Sequence, residues 1–298
     1  MEIKMFLNDF IYTYINQPIH KNIEYFGLAD SNRPNTVSFL EDCKFVAKIN
    51  ENHNVVAVFV RQEDKSLLRE DIEYIAVKHP KATLFSLHDE YCRQNLRYTR
   101  SQIADSAVVH PSAVIDTAGV YIGHNVCIGA NTTICAGVII GDDTVIGANC
   151  VIGSNGFHVY DDLNGIKRVA IHDGNVVIGK NVDIHSSVVI DKGLMGRDTY
   201  IADESKVDDM VHIAHRARIG SRTIVSSSTV IAGSVDIGAN VRIGPGSVIS
   251  NRVKIGDNAR ILLGSVVIHN VRKNAVVSGN FAINHDKHLL ADARNNIG

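Results

Sequence analysis

His212 and His215 stand three residues apart in the stretch Val207-Asp208-Asp209-Met210-Val211-His212-Ile213-Ala214-His215. A histidine titrates near neutrality, so such a ring can take a proton from a nucleophile and pass it to a leaving group. His215 lies two positions past Ile213, an aliphatic residue that the repeat described below turns inward. That places its ring on the outer surface, where a neighbouring chain can lie, and makes it the candidate general base. The plainer reading is an exposed histidine without a role. Asp191 and Asp208 are carboxylates able to orient His215 or to bind a substrate; as solvated corner residues they would do neither. A zinc site is a weak reading of the histidine pair, because no third ligand accompanies it and the two side chains leave different positions of the repeat. Gly156 and Phe157 open a long segment ending near Gly174, rich in charge and carrying His158 and His172. A loop of that length in a compact fold is usually functional; packing between chains is the alternative. Arg252, next to Asn251, can meet phosphate groups. Cys127, Cys135 and Cys150 occupy small-residue positions and read as core.

What must position these residues is a repeat. Ile122, Ile128, Ile134, Ile140, Ile146 and Ile152 are spaced by six, each followed by a small residue. The rhythm breaks after Gly153, returns at Ile178, Ile184 and Ile190, and from Ile201 to Val267 holds without error, every sixth residue being Ile or Val. Period six is neither the 3.6 of a helix nor the 2 of a strand. It fits a prism-like β-solenoid in which a hexad is one short strand and one corner, and three hexads make an 18-residue coil. The aliphatic residue points inward, and Gly, Asn or Asp takes the corner, where left-handed backbone is needed. Eight or nine coils at the β-spacing give a rod about 40 Å long. One coil beyond His215 lies Gly233, whose unhindered N–H stacks beside the histidine and can face a developing oxyanion; a routine corner glycine is the alternative.

Of 23 glycines only Gly27 precedes residue 119, so the first hundred residues obey other rules. Short helices over Met5–Tyr14 and Asp42–Lys48 and strands at Val55–Val60 and Tyr74–Val77 predict a small α/β domain over 1–100. It is expected to cover one end of the solenoid domain, 101–280. A short helix within the tail, 281–298, is expected to cap the other.

The 298 residues are 45% hydrophobic and 21% charged, an ordinary globular composition. Net charge is −2, so there is no basic excess to neutralise nucleic-acid phosphates. No apolar run approaches a transmembrane length. Glu2, Lys4, Asn8 and Asp9 interrupt the N-terminal apolar stretch, unlike a signal peptide. Five cysteines without a CxxC pair suit a reducing cytoplasm.

The Ile-Gly hexads resemble those of the hexapeptide-repeat acyltransferases, which implies a left-handed parallel β-helix and a homotrimer. Val37-Ser38-Phe39-Leu40-Glu41-Asp42-Cys43-Lys44-Phe45, Gly153-Ser154-Asn155-Gly156-Phe157, Ile190-Asp191-Lys192-Gly193, Val207 to His215 and Ile231-Ala232-Gly233-Ser234 resemble, in order and near spacing, motifs of the UDP-3-O-acylglucosamine N-acyltransferases of lipid A biosynthesis. The resemblance implies that His215 is the catalytic base and the Gly233 amide the oxyanion donor. It also implies that Phe39, Asp42 and Phe45 touch the nucleotide. Gly156, Phe157, Asp191, His212 and Arg252 are carried as further substrate contacts. Family Asn and Tyr are Asp42 and Phe45 here, and a family His is Arg252. A carboxylate accepts where an amide both donates and accepts, so the departure implies a weak preference for uracil and tighter UDP binding in Asp42→Asn.

The expected activity is transfer of an acyl group from a thioester, on CoA or acyl carrier protein, to the amine of a nucleotide-linked amino sugar, with no permanently bound cofactor and no metal. A short-chain acyl-CoA enzyme of O-antigen or surface-polysaccharide assembly is the alternative. A non-catalytic trimeric scaffold would need neither the His215–Gly233 rung nor the nucleotide motif. A hexapeptide-repeat carbonic anhydrase would need three convergent histidines. With an unperturbed His215, activity should rise with pH through about 6–7.

Overall fold

The computed structural model describes residues 7–279. The expected C-terminal helix lies outside the described residues.

The N-terminal layer is α/β. Helix α1 (Leu7–Ile15) leads to strands β1 (Tyr25–Phe26) and β2 (Thr36–Phe39). A 3₁₀ turn over Cys43–Phe45 and helix α2 (Val46–Glu51) follow, and then β3 (Val55–Val60) and β4 (Glu73–Ala76). The four strands pair in parallel in sequence order. β3 is buried nearly throughout, which is why it reads as an unbroken run of Val, Ala and Phe. Helix α3 (Pro80–Asn95) was not expected. The Pro80 that ends the β4 segment in the sequence reading sits instead at the first helical turn, where its missing N–H costs nothing.

From Gln102 the chain winds into three parallel sheets of eight, eight and nine short strands. Register advances by 18 residues per coil: Ile213 pairs with Ile231, and Ile231 with Ile249. Every sixth residue from Ile201 to Val267 is buried, at 6% exposure or less. The architecture is a left-handed parallel β-helix. Corner chemistry differs in detail from the expectation. Left-handed backbone falls not on the glycine after each Ile but two residues later, at Asn125, Asn131, Asp143 and Asn149, with φ of 56–58°. The glycines serve close approach: a Cβ on Gly129 would meet the Gly147 carbonyl carbon of the next coil at 2.6 Å.

The prism is broken twice. Between Gly153 and Val176 the chain leaves as an antiparallel hairpin, Val159–Asp161 against Lys167–Val169. Between Asp191 and Thr199 a short bulge carries Leu194 and Met195. Both excursions pack under the N-terminal layer: Tyr160, Ala170, Leu194 and Met195 join Phe10, Phe59, Leu84 and Phe85 in one core cluster. The N-terminal layer therefore lies on the side of the solenoid, not over its end as the sequence suggested. The first coil remains open among the described residues: of its inward-facing positions Ile103 is exposed and Val109 and Ile115 are only partly buried, where their counterparts one coil on are buried. The bulky excursions expose apolar surface on the flank, and the layer buries it there.

Candidate functional site

His215, Arg216, Gly233 and Arg252 occupy successive coils of one corner. Ser234 N–H donates to His215 O at 2.9 Å, and Arg252 N–H donates to Gly233 O at 3.1 Å. The rung expected from the 18-residue step is present. The His215 ring lies against Gly233, where an added Cβ would stand 2.8 Å from Nε2. Among the described residues the Gly233 N–H has no hydrogen-bond partner.

His215 is not on an open surface. The excursion folds back over it. Gly156 packs on its Cβ, and the rings of His172 and His158 approach it edge-on at 5.2 and 5.7 Å. His172 is fully buried and its Nδ1 lies 3.0 Å from Ala170 O, which assigns the proton to Nδ1 and leaves Nε2 a bare acceptor. His158 stacks on Phe85 at 4.8 Å. His215 Nδ1 is buried without a hydrogen-bond partner. Burial first, then the neighbouring His172, His158 and Arg216, pushes the His215 pKa down to about 3. Burial and Lys81 push His158 down to about 4. His215 is therefore not the unperturbed imidazole on which a midpoint near 6–7 depends: a desolvated ring among other bases and cations resists protonation.

Neither expected orienting carboxylate is hydrogen-bonded to His215, although the charge of Asp191 acts on it and partly offsets the downward shift. Asp208 accepts from Asp209 N–H at 2.9 Å and Ser227 N–H at 3.1 Å and faces His185 at 3.6 Å, a different corner, so it does not orient His215. Asp191 is buried, accepts from Ser154 Oγ at 2.9 Å and faces His212 Nε2 at 3.2 Å. That bond raises the His212 pKa. His212 and Asp191 thus form a pair of their own, with His212 half-exposed on the sheet face.

Beside the rung lies a shallow cleft of about 60 Å³ between the two layers, lined by Phe39, Phe45, Arg216 and Arg252 among others. The Arg252 guanidinium lies 5.5 Å from the Phe45 ring centroid. Asp42 does not line it: its carboxylate caps the 3₁₀ turn through Lys44 N–H at 3.0 Å and pairs with Lys44 Nζ. Asn caps as well as Asp, so nothing in the geometry gives Asp42→Asn tighter UDP binding. Phe157 is 83% exposed at the rim of the excursion.

Two residues that sequence reasoning missed hold this corner together. Arg216 is 2% exposed and donates from Nη2 to Asp30 Oδ1 at 2.6 Å. Arg197 and Lys48 also face Asp30. Burial opposes the charge of Asp30, but Arg216, by charge and hydrogen bond, with Lys48 and Arg197, holds its carboxyl below the ordinary value. Arg216 sits at the left-handed corner, φ 63°, where Asn is the commoner occupant. A large cation at a position that favours Asn was the available signal.

One experiment tests the rung. In Gly233→Ala the added methyl displaces the imidazole, which can rotate, so the fold should persist. Turnover should fall about 10²-fold, the scale of a displacement of about 1 Å in a reacting group. Unchanged turnover would show that the ring position is irrelevant.

The architecture is thus a β-helix of six-residue repeats with a histidine–glycine rung beside an added α/β layer. Residues 119–154 and 234–269 match the family model "Bacterial transferase hexapeptide (six repeats)". The chain is similar to a UDP-3-O-acylglucosamine N-acyltransferase of Cytophaga hutchinsonii, 39% identical over 80 residues, which is 27% of this chain and 23% of that protein. A protein of the same name from Dechloromonas aromatica is 41% identical over 61 residues, 20% of this chain and 17% of that one. The matched segment thus spans about a quarter or less of these relatives. Among solved structures, a UDP-N-acetylglucosamine acyltransferase from Campylobacter jejuni aligns at TM-score 0.50 and 22% identity, over 64% of this chain and 82% of that one, a likeness of fold. No helix among the described residues is long and apolar enough to cross a membrane.

Proposed function

We propose that the protein is an N-acyltransferase moving an acyl group from a thioester donor to the amine of a nucleotide-linked amino sugar. The observation that carries this reading is the rung: an imidazole lying against a glycine whose N–H has no partner among the described residues. Neutral His215 takes the proton as the amine nitrogen attacks the thioester carbonyl. The Gly233 N–H donates to the oxyanion. The C–S bond then breaks, the amide remains on the sugar, and the thiol leaves with the proton from His215. Phe45 and Arg252, facing the cleft, suit a stacked base and its phosphates. The named relatives act on a UDP-linked acylglucosamine, which supports a nucleotide-sugar acceptor. CoA or acyl carrier protein would carry the thioester, and these steps call for no permanently bound cofactor.

Mass spectrometry of products after incubation with UDP-, dTDP- and GDP-amino sugars and with acyl-CoA or acyl carrier protein donors tests the reading. Amide product from one pair is expected. No product from any pair would leave the scaffold reading.

The site also calls for a second wall. Val230, Val248 and Val266 form an exposed apolar stripe on the sheet face that carries His212. Burial of that stripe in a homotrimer is the arrangement we propose. Light scattering should give three times the 32.5 kDa of the chain, and a monomeric mass at micromolar concentration would contradict it.

A further inference from the structure

A second polar cluster lies away from the rung, where α3 meets the return of the excursion. His88 and Cys92 stand one helical turn apart on the buried face of α3, 1% and 6% exposed. Asp173 comes from the excursion as it rejoins the prism. His88 Nε2 is 3.3 Å from Asp173 Oδ1 and 3.4 Å from Cys92 Sγ. All three donor atoms lie within 4.8 Å of one another.

Hydrogen bonding alone serves this cluster poorly. One Nε2–H cannot donate well to a sulfur and a carboxylate together. A tetrahedral zinc ion with ordinary Zn–N, Zn–O and Zn–S lengths sets its nitrogen about 3.4 Å from its oxygen and about 3.6 Å from its sulfur. The two separations from the nitrogen, 3.3 and 3.4 Å, are close to those edges, and the sulfur and carboxylate oxygen lie within 4.8 Å of each other, a gap that a bound ion would draw in. The surroundings bear on the second ring nitrogen. His88 Nδ1 is buried without a hydrogen-bond partner, and the nearest carboxylate oxygen, Asp89 Oδ1, stands 3.4 Å away on a side chain fixed by Tyr160 OH and Ile171 N–H, each at 2.8 Å, so a small turn of the ring on metal binding brings the two into a bond. A carboxylate behind the second ring nitrogen is the usual partner of a metal-bound histidine. Asp173 Oδ1 accepts from Met195 N–H at 2.6 Å, which orients it. A cavity of about 240 Å³, lined also by Glu24, Arg33, Tyr91 and Asn95, adjoins the cluster and gives water a route to a fourth position.

We infer that His88 Nε2, Cys92 Sγ and Asp173 carboxylate form a zinc site that clamps the N-terminal layer to the solenoid. Nitrogen, thiolate and carboxylate in a tetrahedral set suit zinc among the common divalent ions. Asp173 directly follows His172, whose ring packs on His215, so the clamp also fixes one wall of the rung. The metal-free alternative is an imidazolium between Asp89 and Asp173 with Cys92 as a free thiol.

The test uses the full chain and does not depend on its activity. Protein purified without chelator is assayed for zinc, stripped with dipicolinate and titrated with cobalt(II). One metal per chain and a thiolate-to-cobalt charge-transfer band in the near ultraviolet are expected. The band should vanish in Cys92→Ser and persist in Cys127→Ser, which removes an exposed thiol. Asp89→Asn, behind the histidine, should weaken binding about 10–100-fold. Should Cys92→Ser fail to fold, the wild-type thermal midpoint decides, and it should rise with added zinc. Cobalt uptake without the band, a band that survives in folded Cys92→Ser, or a midpoint indifferent to zinc would each overturn the site.

Discussion

Replacing His215 by alanine is expected to lower kcat about 10²–10⁴-fold in a folded protein, the range for losing a general base. Binding of both substrates should change little, because the ring acts on a proton in transit. The pH dependence is diagnostic. With its pKa pushed down to about 3 by burial and by His172, His158 and Arg216, His215 is neutral throughout the working range. The ratio of wild-type to His215→Ala turnover at saturating substrate should therefore stay constant from about pH 5 to 8, whatever the sugar amine does on its own account. A ratio that collapses towards one below about pH 7 would mean that the ring is protonated there. Near wild-type turnover in the mutant would remove His215 as the base and leave the His212–Asp191 pair as the next candidate.

Arg216→Asn should cost about 2–4 kcal/mol of stability. Removing one partner of a buried ion pair typically costs about 3–5 kcal/mol, because the other charge is left uncompensated. Asn gives back about 1 kcal/mol by fitting a left-handed corner that strains Arg. Asp30 would keep only Lys48 and Arg197, at 3.8 and 3.6 Å. Urea unfolding of the two proteins measures the difference. A loss under about 0.5 kcal/mol, the size of an ordinary surface substitution, would mean that the pair adds nothing and that the layers are held by the apolar cluster alone. Because Arg216 follows His215 in the corner, the variant should also lower turnover.

Much of the solenoid was legible because its code is local and repeated. An aliphatic residue every sixth position can bury itself only if each hexad turns one corner, and twelve unbroken repeats leave no other register. The His215–Gly233 rung follows from that arithmetic alone, since coils of 18 residues stack like on like. The segment expected to meet a nucleotide was legible only in part as geometry. Phe39, Phe45 and Arg252 do meet at a cleft, whereas Asp42 turns away to cap its own backbone, a local competition that motif similarity does not reveal.

The spacing of Ile and Val dictates the prism, its inward ladder and the one rung that the repeat carries. Everything else arises where the repeat is interrupted. Nothing in the spacing says that the hairpin after Gly153 folds back to place His158 and His172 on His215, or that Asp208 faces a different corner while Asp191 takes His212. Nor does it say that the N-terminal layer docks on the flank through Asp30 and Arg216, 186 residues apart in sequence, or that Asp173 returns to His88 and Cys92. The physical reason is the same in each case. A periodic pattern specifies contacts at fixed sequence separation, because every coil solves the same burial problem. An excursion has no such constraint, and its partners are chosen by the apolar surface and the buried charges that happen to face it once the prism has formed.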